Sequence, residues 1–362
     1  MKAKEDEMAT PEPIGLGVIG ASGIAQNCLR AAQAPDSGLA LRAICSIEEG
    51  QLGRVAREFA IPFATRDYRA LIDRPDVGAV AIYTPDALHF PIIRDALLAG
   101  KDVVVTKPMV ISSQESAEVL ELLRRTGRTL LVGETSRFDR RTLASRRLLE
   151  DGDLGRLTFG ETHYVHDMRS VFDRTPWRYQ EPNPKDFPIG SMCHPISLIT
   201  YFFGDAEEVT AYGINSGVDP RYPANREDTF IAILKFANGE GPSGGRAIGR
   251  VLGAFGIVHP PLPMESLSLF GTKGSLVNNE VVLDRLPGHP VLRLEYRGEA
   301  GHGGQVQRYM AEFVRCVREG APLTSTALDG AKTVAIGEAI KESVRTGRPV
   351  KVPVPSPTGS HA

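Results

Sequence analysis

Val103-Val104-Val105-Thr106-Lys107-Pro108 is the stretch that decides how this chain is read. A short β-branched run set between helical patterns has the signature of a strand buried on both faces of a parallel sheet. A lysine follows at its carboxyl end, where open α/β sheets bind ligands. Pro108 disfavours the helical region for Lys107, so the lysine is expected to stand extended at the strand tip. Most lysines are solvated loop residues. One at a strand tip above a crevice is a candidate proton donor.

Outward from this run, strand and helix alternate. Strands are expected at residues 14–19, 39–45, 79–83, 103–105 and 129–132, with helices at 24–34, 49–59, 87–99, 112–125 and 138–150. That alternation predicts a doubly wound parallel sheet with right-handed crossovers. After Gly155 the pattern changes to alternating apolar segments at 157–166, 207–215, 229–236, 266–270 and 275–283. These predict a large, mostly antiparallel sheet. A helix at 194–203 interrupts it, and helices at 305–319 and 327–346 close the chain. The expected organisation is a dinucleotide-binding domain over 14–152 and an α+β domain over 153–352. The closing helices are free to pack back on the first domain, and residues 1–13 and 353–362 read as flexible tails.

With 362 residues, 42% hydrophobic and 24% charged, the chain can build two cores. A formal net charge of -2 gives no reason to expect nucleic acid or an anionic membrane as partner. The four cysteines, Cys28, Cys45, Cys193 and Cys316, have no C-x-x-C spacing. A disulfide framework or structural zinc site is therefore not expected, and reduced thiols fit a cytoplasmic setting. No metal site is expected, and no apolar run is long enough to span a bilayer.

Gly15-Leu16-Gly17-Val18-Ile19-Gly20 matches G-x-G-x-x-G literally but lies inside the first strand. A phosphate loop must follow the strand and open the helix. The better register is Gly20-Ala21-Ser22-Gly23-Ile24-Ala25, whose backbone amides would face a pyrophosphate. At the end of the second strand, where an NAD-type fold usually carries a ribose-binding acid, stands Ser46. No arginine there marks a 2′-phosphate site, so NAD and NADP both remain candidates. Thr84-Pro85-Asp86-Ala87-Leu88-His89 reads as a strand tip, a proline stop and a capped helix start able to line the nicotinamide side. In the second domain His194 opens a helix and can titrate near neutrality. His163 and His166 lie three apart and, on a strand, point to opposite faces, which argues against a shared metal. Asp167 and Arg169 follow them, and His302 sits in a glycine-rich turn before a helix.

Together these residues resemble the glucose–fructose oxidoreductase and inositol dehydrogenase family, Gfo/Idh/MocA. The resemblance runs from about residue 14 to 352. It is carried by Thr84-Pro85-Asp86 with His89, by residues 99–108, by Val132-Gly133-Glu134-Thr135-Ser136-Arg137-Phe138, by Trp177-Arg178, by the 270–274 turn and by the 346–350 tail. It implies an amino-terminal Rossmann domain and a carboxyl-terminal domain with a large open sheet. It also implies NAD(P)-linked oxidation or reduction of a sugar, cyclitol or related compound, in a homodimer or homotetramer. Gly20, Ser22, Gly23, Ile24, Ala25, Ser46, Thr84, Pro85, His89, Thr106 and Lys107 then become the expected cofactor contacts. Lys107 and His194 become the proton-handling pair. Two departures stand out. Thr106 replaces the acid beside the family's lysine, and Gly190 stands where its catalytic aspartate usually lies, four residues before His194. Asp167 is the expected substitute carboxylate, with His166, Arg169, Trp177, Arg178 and His302 as substrate contacts. Alternative outcomes of the same resemblance are a non-redox, NAD-assisted glycoside-cleaving or lyase-type enzyme, and a catalytically silent sugar or nucleotide sensor.

Overall fold

The valine run is the fifth strand of a parallel sheet. The computed structural model describes residues 12–180, 185–237, 246–295 and 301–355, except the side chain of Trp177; most of both tails lies outside these. Strands β1 (Ile14–Ile19), β2 (Leu39–Cys45), β3 (Phe63–Thr65), β4 (Ala79–Ile82), β5 (Asp102–Thr106) and β6 (Leu130–Gly133) alternate with helices α1 (Gly23–Gln33), α2 (Glu49–Glu58), α3 (Tyr68–Ile72), α4 (His89–Leu98) and α5 (Ser113–Thr126). Their order is β3-β2-β1-β4-β5-β6, all parallel. The order reverses between β1 and β4, so a crevice opens at the carboxyl ends of these two strands. Val103, Val104 and Val105 are fully buried, as a run covered by helices on both faces requires. The short pair β3 and α3 lies below the length at which periodicity is readable, and the sequence pattern did not predict it.

Helix α6 (Arg140–Glu150) leads to β7 (Leu157–Val165), α7 (Arg169–Arg174), α8 (Phe187–Gly190), α9 (Cys193–Phe203), β8 (Ala206–Ile214), β9 (Thr229–Phe236), β10 (Ala247–Ala254), β11 (Glu265–Gly271), β12 (Gly274–Val277), β13 (Glu280–Leu283) and β14 (Leu292–Arg293). Helices α10 (His302–Glu319) and α11 (Ala327–Thr346) and strand β15 (Val350–Lys351) follow. The second sheet runs β14-β13-β12-β11-β7-β10-β9-β8-β15 and is antiparallel except where β10 lies parallel to β7. The fold class is thus as expected, with differences of detail, two of which bear on the second sheet. The segment expected as one strand at 275–283 is a hairpin turning at Asn278, whose φ is +55°. Strand β10 was not anticipated, because Gly249 and Gly253 dilute its apolar pattern.

Those glycines have a structural reason. A Cβ at Gly249 would stand 2.5 Å from Ile199 Cδ1, one at Gly253 2.5 Å from Met192 Cγ, and one at Gly160 2.4 Å from Phe203. The bare strands let α9, the helix that carries His194, lie close against β7 and β10. Helix α10 packs on α1, burying Val306, Tyr309, Met310 and Phe313 with the β1 and β2 residues Leu16 and Ile44. Helix α11 is shared. Ala331 and Val334 join the core around β5, and Ile336 and Ile340 join that of the second sheet.

Candidate active site

At the β1 tip, Gly20 has φ +105°, and a Cβ there would stand 2.3 Å from the Tyr83 carbonyl oxygen. Only glycine closes this turn. Ser22 then precedes α1 with extended backbone and makes no side-chain cap bond. The first turn of α1 carries no acidic residue, and a Cβ on Gly23 would meet nothing within 4 Å. Its unclaimed amides therefore suit an anionic group. Ile24 is exposed beside them and Ala25 is buried beneath. Ser46, one residue past β2, accepts from the Glu48 amide at 3.3 Å. Past β4, the Thr84 hydroxyl is buried without a partner, the mark of a polar atom awaiting a ligand. These features fit a dinucleotide across the β1–β4 crevice.

Thr106 ends β5 and Lys107 follows, joined to Pro108 by a cis peptide. Lys107 Nζ donates to the Gly190 carbonyl oxygen at 3.2 Å, which ties the β5 tip to the turn before α9. His89, expected as a cofactor contact, is instead fully buried behind the tips. Its Nδ1 lies 2.7 Å from the Pro108 carbonyl oxygen and its Nε2 3.0 Å from that of Thr84. It clasps the turns after β4 and β5 together and has no ring nitrogen left for a ligand. Asp86 does not act as a cap either; its carboxylate receives Lys185 Nζ at 2.6 Å.

His194 is buried at the start of α9. Its Nδ1 lies 3.3 Å from Ser136 Oγ, and the Ser136 hydroxyl donates to Glu265 Oε2 at 2.9 Å. With the serine proton committed to Glu265, Nδ1 must be the ring atom that donates, leaving the lone pair on Nε2. Burial, reinforced by the charges of Lys107, His302 and Lys185, holds the His194 imidazole well below its ordinary value and hence neutral. Burial raises the Glu265 carboxyl, partly offset by the bond from Ser136. The carboxylate beside His194 is therefore Glu265 on β11, and the expected substitute, Asp167, is engaged elsewhere. Asp167 receives Arg169 at 2.6 and 2.9 Å and the His259 amide at 3.3 Å. These bonds, that from the Arg169 side chain first, hold the Asp167 carboxyl far below the usual carboxylate range.

The expected substrate residues divide accordingly. His302 lies near enough to bear on both His194 and Glu265. Arg178 is mostly buried and bears on Asp86 and Tyr164, whose ring lies 4.9 Å from that of His194. His166 lies 6.1 Å from the same Tyr164 ring and is lowered by burial. Arg169 is committed to Asp167, and the Trp177 side chain lies outside the described residues. Ser136, Glu265 and Lys185 were missed as site residues. Ser136 stood inside the stretch 132–138 that carries the resemblance, but no spacing rule marks a serine that bridges two distant side chains. Among the described residues no cluster of His, Cys, Asp or Glu is placed to hold a metal.

Two family profiles match. The first, GFO_IDH_MocA, described as an oxidoreductase family with an NAD-binding Rossmann fold, covers residues 14–134. The second, the alpha/beta C-terminal domain of the same family, covers residues 146–352. The chain belongs to the Gfo/Idh/MocA oxidoreductase family. Levoglucosan dehydrogenase of Pseudarthrobacter phenanthrenivorans is 24% identical over 88% of this chain and 91% of its own. Inositol 2-dehydrogenase 2 of Saccharopolyspora erythraea is 26% identical over 94% of this chain and 96% of its own. A solved levoglucosan dehydrogenase in complex with NADH and L-sorbose superposes with a TM-score of 0.84 at 22% identity, over 95% of this chain and 100% of that one. As a family member, this Gfo/Idh/MocA protein is an NAD-binding oxidoreductase.

Proposed function

We propose that this protein oxidises a secondary hydroxyl of a sugar or cyclitol, or reduces the corresponding carbonyl, with Lys107 and His194 handling the proton. The observation that carries this reading is the meeting of Lys107, at the tip of β5, with the turn that leads into the His194 helix. Lys107 would donate to the reacting oxygen, and His194 Nε2 would take its proton, the ring held in that tautomer by Ser136 and Glu265. Bound nicotinamide would supply the hydride acceptor or donor. Gly20, Ser22, Gly23, Ile24, Ala25, Ser46, Thr84, Pro85, Thr106 and Lys107 would hold it, with NAD favoured over NADP by the acids Glu48 and Glu49 after β2, which would repel a 2′-phosphate. His166, Arg178, Trp177 and His302 would meet substrate hydroxyls. Support for a polyhydroxylated ring comes from relatives named for levoglucosan and inositol.

A screen of sugars, cyclitols and glycosides with NAD and NADP, read by nicotinamide absorbance, tests the reading. Lys107→Met should lower kcat by on the order of 100-fold or more while NADH binding persists; turnover within threefold of the parent refutes the role. A second reading, NAD-assisted cleavage of a glycoside, draws on a likeness over 48% of the chain to alpha-N-acetylgalactosaminidase of Shewanella oneidensis, 26% identical. Product formation with no net change in the free nicotinamide pool would favour it. Cofactor binding by calorimetry, with no turnover of any compound, would favour a sensor.

The exposed face of the second sheet supports a homodimer or homotetramer. Tyr212, Ile214, Ile231, Ile233 and Ile248 stand on it, with Tyr212 73% and Ile248 51% exposed. An apolar sheet face of this kind marks a contact surface. Four unpaired thiols support a reducing, cytoplasmic compartment, and no helix among the described residues is long and apolar enough to cross a membrane.

A further inference from the structure

Lys185 and Asp86 form a buried ion pair, 2.6 Å long, whose side chains are 3% and 19% exposed. The two residues come from different domains, Asp86 from the Rossmann domain and Lys185 from the carboxyl-terminal domain. Asp86 belongs to the turn after β4, and Lys185 to the segment entering α8. Isolated buried charges are costly, so a pair retained in such a place calls for a role. Its position supplies one. A Cβ built on Gly190 would stand 2.6 Å from Asp86 Oδ2, 2.6 Å from Lys185 Cε and 2.6 Å from Lys185 Nζ. The ion pair therefore occupies the space that any side chain at residue 190 would fill. The carbonyl of the same Gly190 receives Lys107 Nζ at 3.2 Å. One glycine thus carries Lys107 on its carbonyl and a carboxylate against its bare Cα.

We propose that Asp86, held by Lys185 against Gly190, is a positioning residue that acts on Lys107 across Gly190 and sets its ammonium group for the reaction. This rests on the oxidoreductase reading above for its catalytic consequence, but not for its geometry. The charges agree with the arrangement. Burial pushes the Asp86 carboxyl up, but Lys185, with His89 and Lys107, overrides it and holds the carboxyl below its ordinary value. Burial lowers the Lys185 ammonium to about 8, with Asp86 offsetting part of the change. Residue 190 is where a family aspartate was expected, so the carboxylate would enter the same space from the turn after β4. Gly190 is then the residue that makes room for it.

The test is a rescue. Asp86→Ala should lower kcat by on the order of 100-fold, with a smaller change in KM, as misplacement of a catalytic group does. Gly190→Asp in the Asp86→Ala background returns a carboxylate to the vacated space within reach of Lys185, and should recover at least about tenfold of that loss. Gly190→Asp alone should be impaired, because the space is filled. The second readout is the side-chain Nζ resonance of Lys107 in isotope-labelled protein, assigned by its absence in Lys107→Met. It should move in Asp86→Ala and return toward its original position in the double variant. An unmoved resonance, or unchanged kcat in a folded Asp86→Ala protein, overturns the proposal, as does a double variant no better than Asp86→Ala. If the parent protein turns over no polyhydroxylated compound, the resonance alone decides; a shift then upholds the Asp86–Lys107 coupling while the oxidoreductase reading falls.

Discussion

Replacing Glu134 with glutamine should remove a pH-dependent weakness from the centre of the molecule. In the parallel register of β5 and β6, Thr106 lies opposite Gly133, so Lys107 and Glu134 leave adjacent strand tips together. Glu134 is 1% exposed, and neither carboxylate oxygen has a hydrogen-bond partner. Burial pushes its carboxyl up from 4.5 to about 7, against the opposing pull of Arg137 and Lys107. The fold therefore holds a proton that the unfolded chain has released, and the stability linked to it is present in acid and lost as pH rises from about 4.5 to about 7. A shift of that size corresponds to roughly 3 kcal/mol, at ~1.4 kcal/mol for each pH unit within the window. Glutamine has nearly the same shape and cannot titrate. Urea unfolding followed by circular dichroism, for both proteins between about pH 4 and pH 8, isolates the effect, since all other groups cancel in the difference. The parent protein should lose stability relative to Glu134→Gln by roughly 3 kcal/mol across this range. A difference that stays flat to within ~0.5 kcal/mol would show that the carboxyl ionises freely in the fold, and the reasoning from its burial would fail.

Three further outcomes follow from the same contacts. Ser136→Ala cuts the link between His194 and Glu265, and kcat should fall by about tenfold with KM little changed, the size of one lost hydrogen bond; kcat within twofold of the parent would remove Ser136 from the mechanism. Asp167→Asn should leave turnover within about threefold, because Arg169 rather than the reaction claims that carboxylate. Its melting temperature should lie below the parent's near neutral pH, with the gap closing as acid protonates Asp167, since a depressed carboxyl contributes stability that is lost as pH falls; a large rate loss would restore Asp167 to the site. Ile233→Glu together with Ile248→Glu puts charge on the exposed sheet face and should yield monomers by light scattering, whereas an intact oligomer would place the interface elsewhere.

Local pattern was enough for the first layer. The valine run, the glycine turn and the strand–helix alternation each declare themselves within a few residues, because burial on both faces of a parallel sheet demands a continuous apolar run. The same logic set aside Gly15 and Gly17, which lie within β1, and located Lys107 at a strand tip. Strand β10 was illegible because its glycines serve the approach of α9, a requirement set by a helix some fifty residues earlier in the chain. His89 carried a family signature but not its purpose, since its partners are backbone carbonyls that no side-chain pattern reports.

The carboxylates are where sequence and tertiary structure part. Sequence proximity pointed to Asp167 because it lies near His166 and Arg169, and Arg169 is what neutralises it. The acid at His194 is Glu265, reached through Ser136 at a separation of 129 residues. Lys185 meets Asp86 at a separation of 99. By itself the sequence determined the architecture, the crevice and the lysine, since each follows from local backbone preference and the period of burial. Which charge stands beside which was decided only when β4, β11 and the turn before α9 closed on the β5 tip. Electrostatic partnership depends on distance through space, and on how far burial removes water from between the groups.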